Sequence, residues 1–442
     1  MNQSGISYSP ALRGDRGVWL LSVPLYILWF FLFNDGVLPQ IEMAFFHGAV
    51  PIATVVLKFL LLLVLALSML TLKNASMPKQ FLFFIVLFVL CLVVSSIYQI
   101  IFIYKPLSST LYDIEASYFF ILIVPMAFSI KNKINELLVQ YSILTFGLAS
   151  SILGIVQHFS GSAILPTVSL HGYYRVWAYG FFEQMRAFAF NSTPADLGQF
   201  LVFAAIIIME TRFIKNSMFN KVLKTIFLAV VLIGIFCTLT RAIYIYSALV
   251  LVTWFILSRW PHNRMILFLP LVYFVCGLGI ILLAPLMHDL FLSFGSISSD
   301  RTLYIRLDEW RYWGAIILNN PYHLLFGPGV TQYHVIDYKG MIDNVYISIV
   351  LQSGLISFFS LVIVTSAAWS YSFKLFKSCP SPVRLAIICS MAAYPTLFLF
   401  ELDLVKYFML FMLVIVVSCK STFRSFRTFR YSGAHASEMV IT

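Results

Sequence analysis

The chain has 442 residues, 61% of them hydrophobic and 11% charged, with mean hydropathy +0.92 and formal net charge +11. Soluble domains average about 25% charged residues, so this composition excludes a water-soluble globular protein and points to an integral membrane protein. In such a chain the excess of positive charge is a signal of topology, and it does not call for nucleic acid.

Met1 to Gly17 is polar, and the first apolar run lacks a small-residue cleavage site after it, so a cleavable signal peptide is not expected. A membrane span needs about twenty apolar residues. About twelve candidates follow in order: Val18–Phe33, Val50–Leu72, Phe81–Ile103, Tyr118–Ile130, Val139–Phe159, Leu197–Met209, Val222–Thr240, Ala242–Leu257, Met265–Leu286, Val345–Phe373, Leu385–Phe400 and Val405–Cys419. The fourth, sixth and twelfth are short. Pro24, Pro125, Pro270 and Pro395 fall inside spans and are expected to kink them, which neighbouring helices tolerate by satisfying the freed backbone groups. The expected fold is an all-α, polytopic bundle. It divides into N-terminal spans (1–159), a long outer loop (160–196), central spans (197–286), a second long outer loop (287–344), C-terminal spans (345–419) and a basic tail (420–442). The six cysteines lie in or beside apolar runs without Cys-x-x-Cys spacing and read as small core or lipid-facing residues.

Charge sets the orientation. With the N-terminus in the cytoplasm and the spans alternating, 19 lysines and arginines fall inside and 9 outside, Lys58 completing the 29 from within a span. The acids segregate the other way: Asp15, Glu136, Glu210 and Glu438 inside, the other 14 of 18 outside. Arg424, Arg427 and Arg430 of the tail would then lie against the anionic inner leaflet.

Against this bias an outer arginine stands out. Arg186 lies in Arg186-Ala-Phe-Ala-Phe-Asn191-Ser-Thr-Pro194. Arg241 lies in Thr238-Leu-Thr240-Arg241, in a tight outer turn. Arg306 opens Arg306-Leu-Asp308-Glu309-Trp310-Arg311. Guanidiniums on one membrane face can grip phosphate oxygens in a bidentate fork, so a lipid phosphate or pyrophosphate is the anion they suit. The competing reading is snorkelling or local pairing, which fits Arg311 beside Asp308 and Glu309 better than it fits Arg241. Asp343-Asn344 precedes the span that begins at Val345. Asp343 reads as an N-cap or as a general base near arginines. His323 and His334 lie in the second long loop, with His334 a reserve base. The outer-loop aromatics, Trp310 among them, suit either interfacial anchoring or sugar stacking. No zinc spacing, Walker motif, Gly-x-Ser-x-Gly elbow or Asp-x-Asp pair is present.

These pieces, taken in order, resemble the O-antigen ligase and Wzy polymerase superfamily. They are Arg186…Phe190-Asn191-Ser-Thr-Pro194-Ala-Asp196-Leu-Gly198, Thr240-Arg241, Arg306-x-x-x-Trp310, Phe326-Gly327-Pro-Gly329 and Asp343-Asn344…Gly354-Leu355. The resemblance covers about residues 180–360. It implies a GT-C-like glycosyltransferase of the bacterial inner membrane with two long periplasmic loops and a site facing the periplasm. Such enzymes move a glycan from undecaprenyl pyrophosphate to an acceptor without a metal, a nucleotide sugar or another cofactor. Ligases of the family carry histidine directly before the asparagine, where this chain has Asp343, so the polymerase branch is the closer match.

On this reading Arg186 and Arg241 hold pyrophosphate and Asp343 is the base. Arg306, Asn191, Asn344, Trp310 and His334 line the substrate. Implied partners are the lipid-linked oligosaccharide, inner-membrane lipids, and the chain-length regulator and flippase of the same pathway. Two other functions stay open: a ligase that passes the glycan to lipid A–core, and a flippase for lipid-linked oligosaccharide. A flippase should line a central cavity with charge, yet Lys58 is the clear mid-span charge here.

Overall fold

The protein is described from a computed structural model, which defines residues 77–110, 124, 128, 134–162, 164, 185–191, 193–214, 216–260, 264–277, 279, 301–329, 344–399, 417 and 419–420. The predicted spans Val18–Phe33 and Val50–Leu72, and most of Tyr118–Ile130 and Val405–Cys419, lie outside these residues.

Helices dominate. In chain order they are α1 (Lys79–Phe102), α2 (Glu136–Ser160), α3 (Pro194–Glu210), α4 (Ser217–Cys237), α5 (Arg241–Arg259) and α6 (Met265–Gly277), whose first turn is a 3-10 helix. Then come α7 (Arg301–Leu318), α8 (Pro321–Phe326), α9 (Val345–Ser378) and α10 (Pro382–Ala393), which runs on as the 3-10 helix Tyr394–Leu399. Two two-residue strands, β1 (Ile134–Asn135) and β2 (Cys419–Lys420), pair in parallel. Among the described residues α1, α2, α4, α5 and α9 are long and apolar enough to cross a membrane. The second long loop thus carries helices α7 and α8 of its own.

The helix starts are written locally. Asn135, Asn216, Asn320, Asn344 and Ser381 each accept a first-turn N–H, and Pro321 and Pro382 occupy first helical positions where no N–H is needed. Thr193 caps α3 by accepting from Asp196 N, while its hydroxyl donates to the Asp196 carboxylate at 2.5 Å. The cap of α9 is Asn344, whose Oδ1 accepts from Ile347 N at 3.1 Å. The expectation that Asp343 caps this helix is therefore corrected by one position.

Helix α3 is the hub. Fourteen of its 17 residues are buried, which explains a span of only about 25 Å: a helix apolar on every side belongs inside a bundle. Small residues let its neighbours close in. A Cβ on Gly198 would meet Ile243 of α5 at 2.5 Å, one on Gly147 of α2 would meet Ala204 at 2.8 Å, and one on Gly234 of α4 would meet Leu201 and Ser151 at 3.0 Å. In lipid, where burial of apolar surface gives no drive between helices, such close contact supplies the attraction. On the other flank α1 packs along α9.

The connections sort into two ends. Asn135 pairs with Lys420, the Ser381 hydroxyl donates to Glu136, Gln140 donates to Thr211 and Lys224 donates to Met209 O. At the opposite end the α2 terminus meets 185–189, that segment meets 237–240, and α1 meets the 326–329 turn. Segments that the charge bias puts on one side thus meet at one end.

Candidate functional site

At the end opposite Lys420, the chain before α3 is held by α2 and docks on the α4–α5 turn. Gln157 Oε1 accepts from Phe188 N at 3.2 Å and Ala189 N at 2.8 Å, and His158 Nδ1 lies 2.6 Å from Met185 O. Ala187 N donates to Cys237 O at 2.9 Å. These bonds aim Arg186 at the turn. Its terminal nitrogen donates to Thr240 Oγ1 at 2.7 Å and its Nε to Thr238 O at 3.3 Å. Arg186 thus reaches the residue directly before Arg241, across 54 positions of sequence.

Thr240 precedes α5 but does not cap it. Its hydroxyl donates to Thr238 O at 3.0 Å and accepts from Arg186. The positive end of the α5 dipole therefore sits beside two arginines, with Arg241 exposed at the first helical position. Helix N-termini bind anions through this field and their unbonded N–H groups. Two non-glycine residues with left-handed backbone lie here, Ala189 (φ 48°) and Leu239 (φ 47°), one in each of the two docked turns. Such conformations persist only where the surroundings enforce them, and they gather at functional sites.

A second group lies at the same end. Helix α9 breaks at Gly354, where φ is 75° and ψ 174°. Tyr346 and Phe358 would be about 18 Å apart along a straight helix, yet their ring centroids are 6.0 Å apart. The first limb of α9 therefore folds sharply across the bundle, and Asn344 at its head is fully buried. Trp310 of α7 is also buried, on a helix that packs against α9. Among the described residues neither Asn344 Nδ2 nor Trp310 Nε1 has a hydrogen-bond partner. A buried donor without an acceptor is costly, and a ligand oxygen would satisfy it.

The structure thus brings Arg186 to the residue directly before Arg241 and buries Asn191 in the segment that carries Arg186, its N–H bonded to Phe188 O. It buries Asn344 and Trp310 on packed elements. Arg306 lies in α7, with its side chain outside the described residues. Asp343 and His334 lie outside them altogether. Arg311 is exposed. Sequence reasoning missed Gln157, which shapes the Arg186 segment, and Ser95 and Gln99 of α1, which hold the break in α9. A signal for them was present. Each is a polar residue inside an apolar span, and such residues usually face the bundle interior.

The fold defines a helical membrane-embedded protein with a polar, arginine-bearing end. Compared with known proteins, the chain matches no family model and no curated protein.

Proposed function

We propose that the protein is a polysaccharide polymerase of the bacterial inner membrane, metal-independent and inverting. It transfers a glycan from undecaprenyl pyrophosphate to the acceptor sugar of another lipid-linked repeat. The observation that carries this reading is Arg186 bonded to Thr238 and Thr240 at the uncapped start of α5, next to Arg241. Two guanidiniums and a helix N-terminus at one end of a membrane bundle suit a pyrophosphate at headgroup depth. The charge bias puts that end in the periplasm.

In the reaction the bond between C1 of the donor sugar and the pyrophosphate oxygen breaks, and the leaving group takes the electron pair. Arg186 and Arg241 stabilise the charge that develops there. The acceptor hydroxyl attacks the opposite face of C1 and gives its proton to Asp343, next to the Asn344 cap. Trp310 Nε1 and Asn344 Nδ2, both buried and without an acceptor among the described residues, would bond sugar oxygens. Arg306 and His334 complete the substrate side, and Asn191 supports the Arg186 segment.

Deletion of the gene followed by a polysaccharide gel tests the function. A polymerase leaves a single repeat attached to its acceptor by the host's ligase. Lipid-linked polymer accumulating with no repeat on lipid A–core would overturn the polymerase reading in favour of a ligase.

A further inference from the structure

The break in α9 frees three carbonyls, and each finds a donor from another part of the chain. Leu351 O accepts from Gly329 N at 3.0 Å, Gln352 O from Gln99 Nε2 at 2.6 Å, and Ser353 O from Ser95 Oγ at 2.7 Å. Ser95 and Gln99 lie four residues apart on α1, so they share one helix face, and both are buried. Gln99 Nε2 also lies 3.4 Å from Phe326 O, and Tyr98 packs on Phe326 with the rings tilted by 31° and centroids 5.0 Å apart. Lys105 Nζ donates to Gly329 O at 2.8 Å. The turn fits the break closely: a Cβ on Gly327 would lie 2.7 Å from Gly354 N, and one on Gly329 would lie 2.9 Å from Gln99 Oε1. Three segments far apart in sequence therefore meet at one side-chain amide.

We propose that Gln99 is a positioning residue: its N–H donation to Gln352 O sets the fold-back of the α9 limb headed by Asn344. It registers that limb against the Gly327–Gly329 turn. Gly329 and Asn344 flank the stretch that carries His334 and Asp343, so this bond acts on both flanks, together with those of Gly329 N, Lys105 and Ser95. Without the donor, Gln352 O loses the 2.6 Å bond that Gln99 supplies, and the limb gains by swinging toward water or lipid headgroups. The consequence for catalysis rests on the polymerase reading; the geometric claim does not.

The test uses the full-length protein in lipid nanodiscs with Ser348→Cys, a buried site on the short limb. Its labelling by a hydrophilic maleimide is followed by peptide mass spectrometry, and each variant is compared with the Gln99 protein at the same pH. Gln99→Leu has no donor at any pH and should label about tenfold faster, the factor set by one lost buried hydrogen bond. Gln99→Met keeps the length of the side chain without the donor and should label equally fast. In a polymer assay both variants should lose turnover about ten- to a hundredfold, with donor KM changed less than turnover, because Arg186 and Arg241 are untouched.

Equal labelling of Gln99→Leu and the Gln99 protein would overturn the proposal. So would labelling of Gln99→Met at the rate of the Gln99 protein. Should Gln99→Leu fail to insert, Gln99→Met decides alone. A wild-type protein that makes no polymer would sink the polymerase reading and leave the labelling result to judge Gln99.

Discussion

Gly354→Ala is the sharpest perturbation of this architecture. Gly354 occupies a backbone region open almost only to glycine (φ 75°, ψ 174°), and forcing a side chain into it costs about 1–3 kcal/mol. Space is the greater obstacle. The new Cβ would fall onto Leu325 O and lie 2.5 Å from Phe326 N, both backbone atoms that cannot rotate aside. The 325–329 turn must move, and the bonds to Leu351 O, Gln352 O and Ser353 O are lost or stretched. At about 1 kcal/mol each, these losses bring the expected destabilisation to about 4–6 kcal/mol, a large share of the 5–15 kcal/mol typical of a folded domain. Gly314→Ala is the control. Its Cβ would meet nothing within 4 Å, and in a helix interior alanine gains about 0.5–1 kcal/mol over glycine. Heating in detergent followed by size-exclusion chromatography reads both. Gly354→Ala should aggregate well below wild type and Gly314→Ala at or above it. A Gly354→Ala protein that melts with wild type would refute the broken-helix geometry.

The remaining expectations concern the site. Arg186→Ala should abolish polymer on a gel while the protein still inserts, and Arg186→Lys should rescue poorly, since a point charge does not reproduce the planar fork that grips phosphate oxygens; normal polymer from Arg186→Ala would remove it from the pyrophosphate site. Trp310→Phe deletes a buried N–H that has no partner among the described residues, so it should lower polymer length while thermal stability stays within about 1 kcal/mol of wild type; unchanged chain lengths would remove the indole from substrate binding. Asp343→Asn should insert normally and yield single repeats or short chains, because losing a general base costs about a hundredfold to ten-thousandfold in rate, and wild-type chain lengths would refute the base assignment.

Several features of this protein were legible in its residues because they depend on near neighbours. The apolar runs from Phe81, Val139, Val222 and Ala242 became helices with ends moved by a few residues. The helix expected from Leu197 begins at Pro194, where Thr193 caps it by accepting from Asp196 N. The tight turn before Arg241 is also local, although the left-handed Leu239 inside it carries no sequence mark. Capping and turn formation involve atoms three or four residues apart, so the order of residues suffices to determine them.

Other features needed the packed chain. Arg186 meets Thr240, and Gln99 meets Gln352, through bonds that span 54 and 253 residues. No local preference specifies such partners. Gly354 stands in a run that reads as one uninterrupted span, and glycine within a helix is weak evidence of a break. The break became stable because the Phe326–Gly329 turn and α1 brought in three donors for the freed carbonyls. A backbone group at this depth keeps a broken conformation only when protein supplies the missing hydrogen bonds. The sequence therefore determined where helices begin and which residues are polar, whereas the burial of those residues against one another decided which form a site.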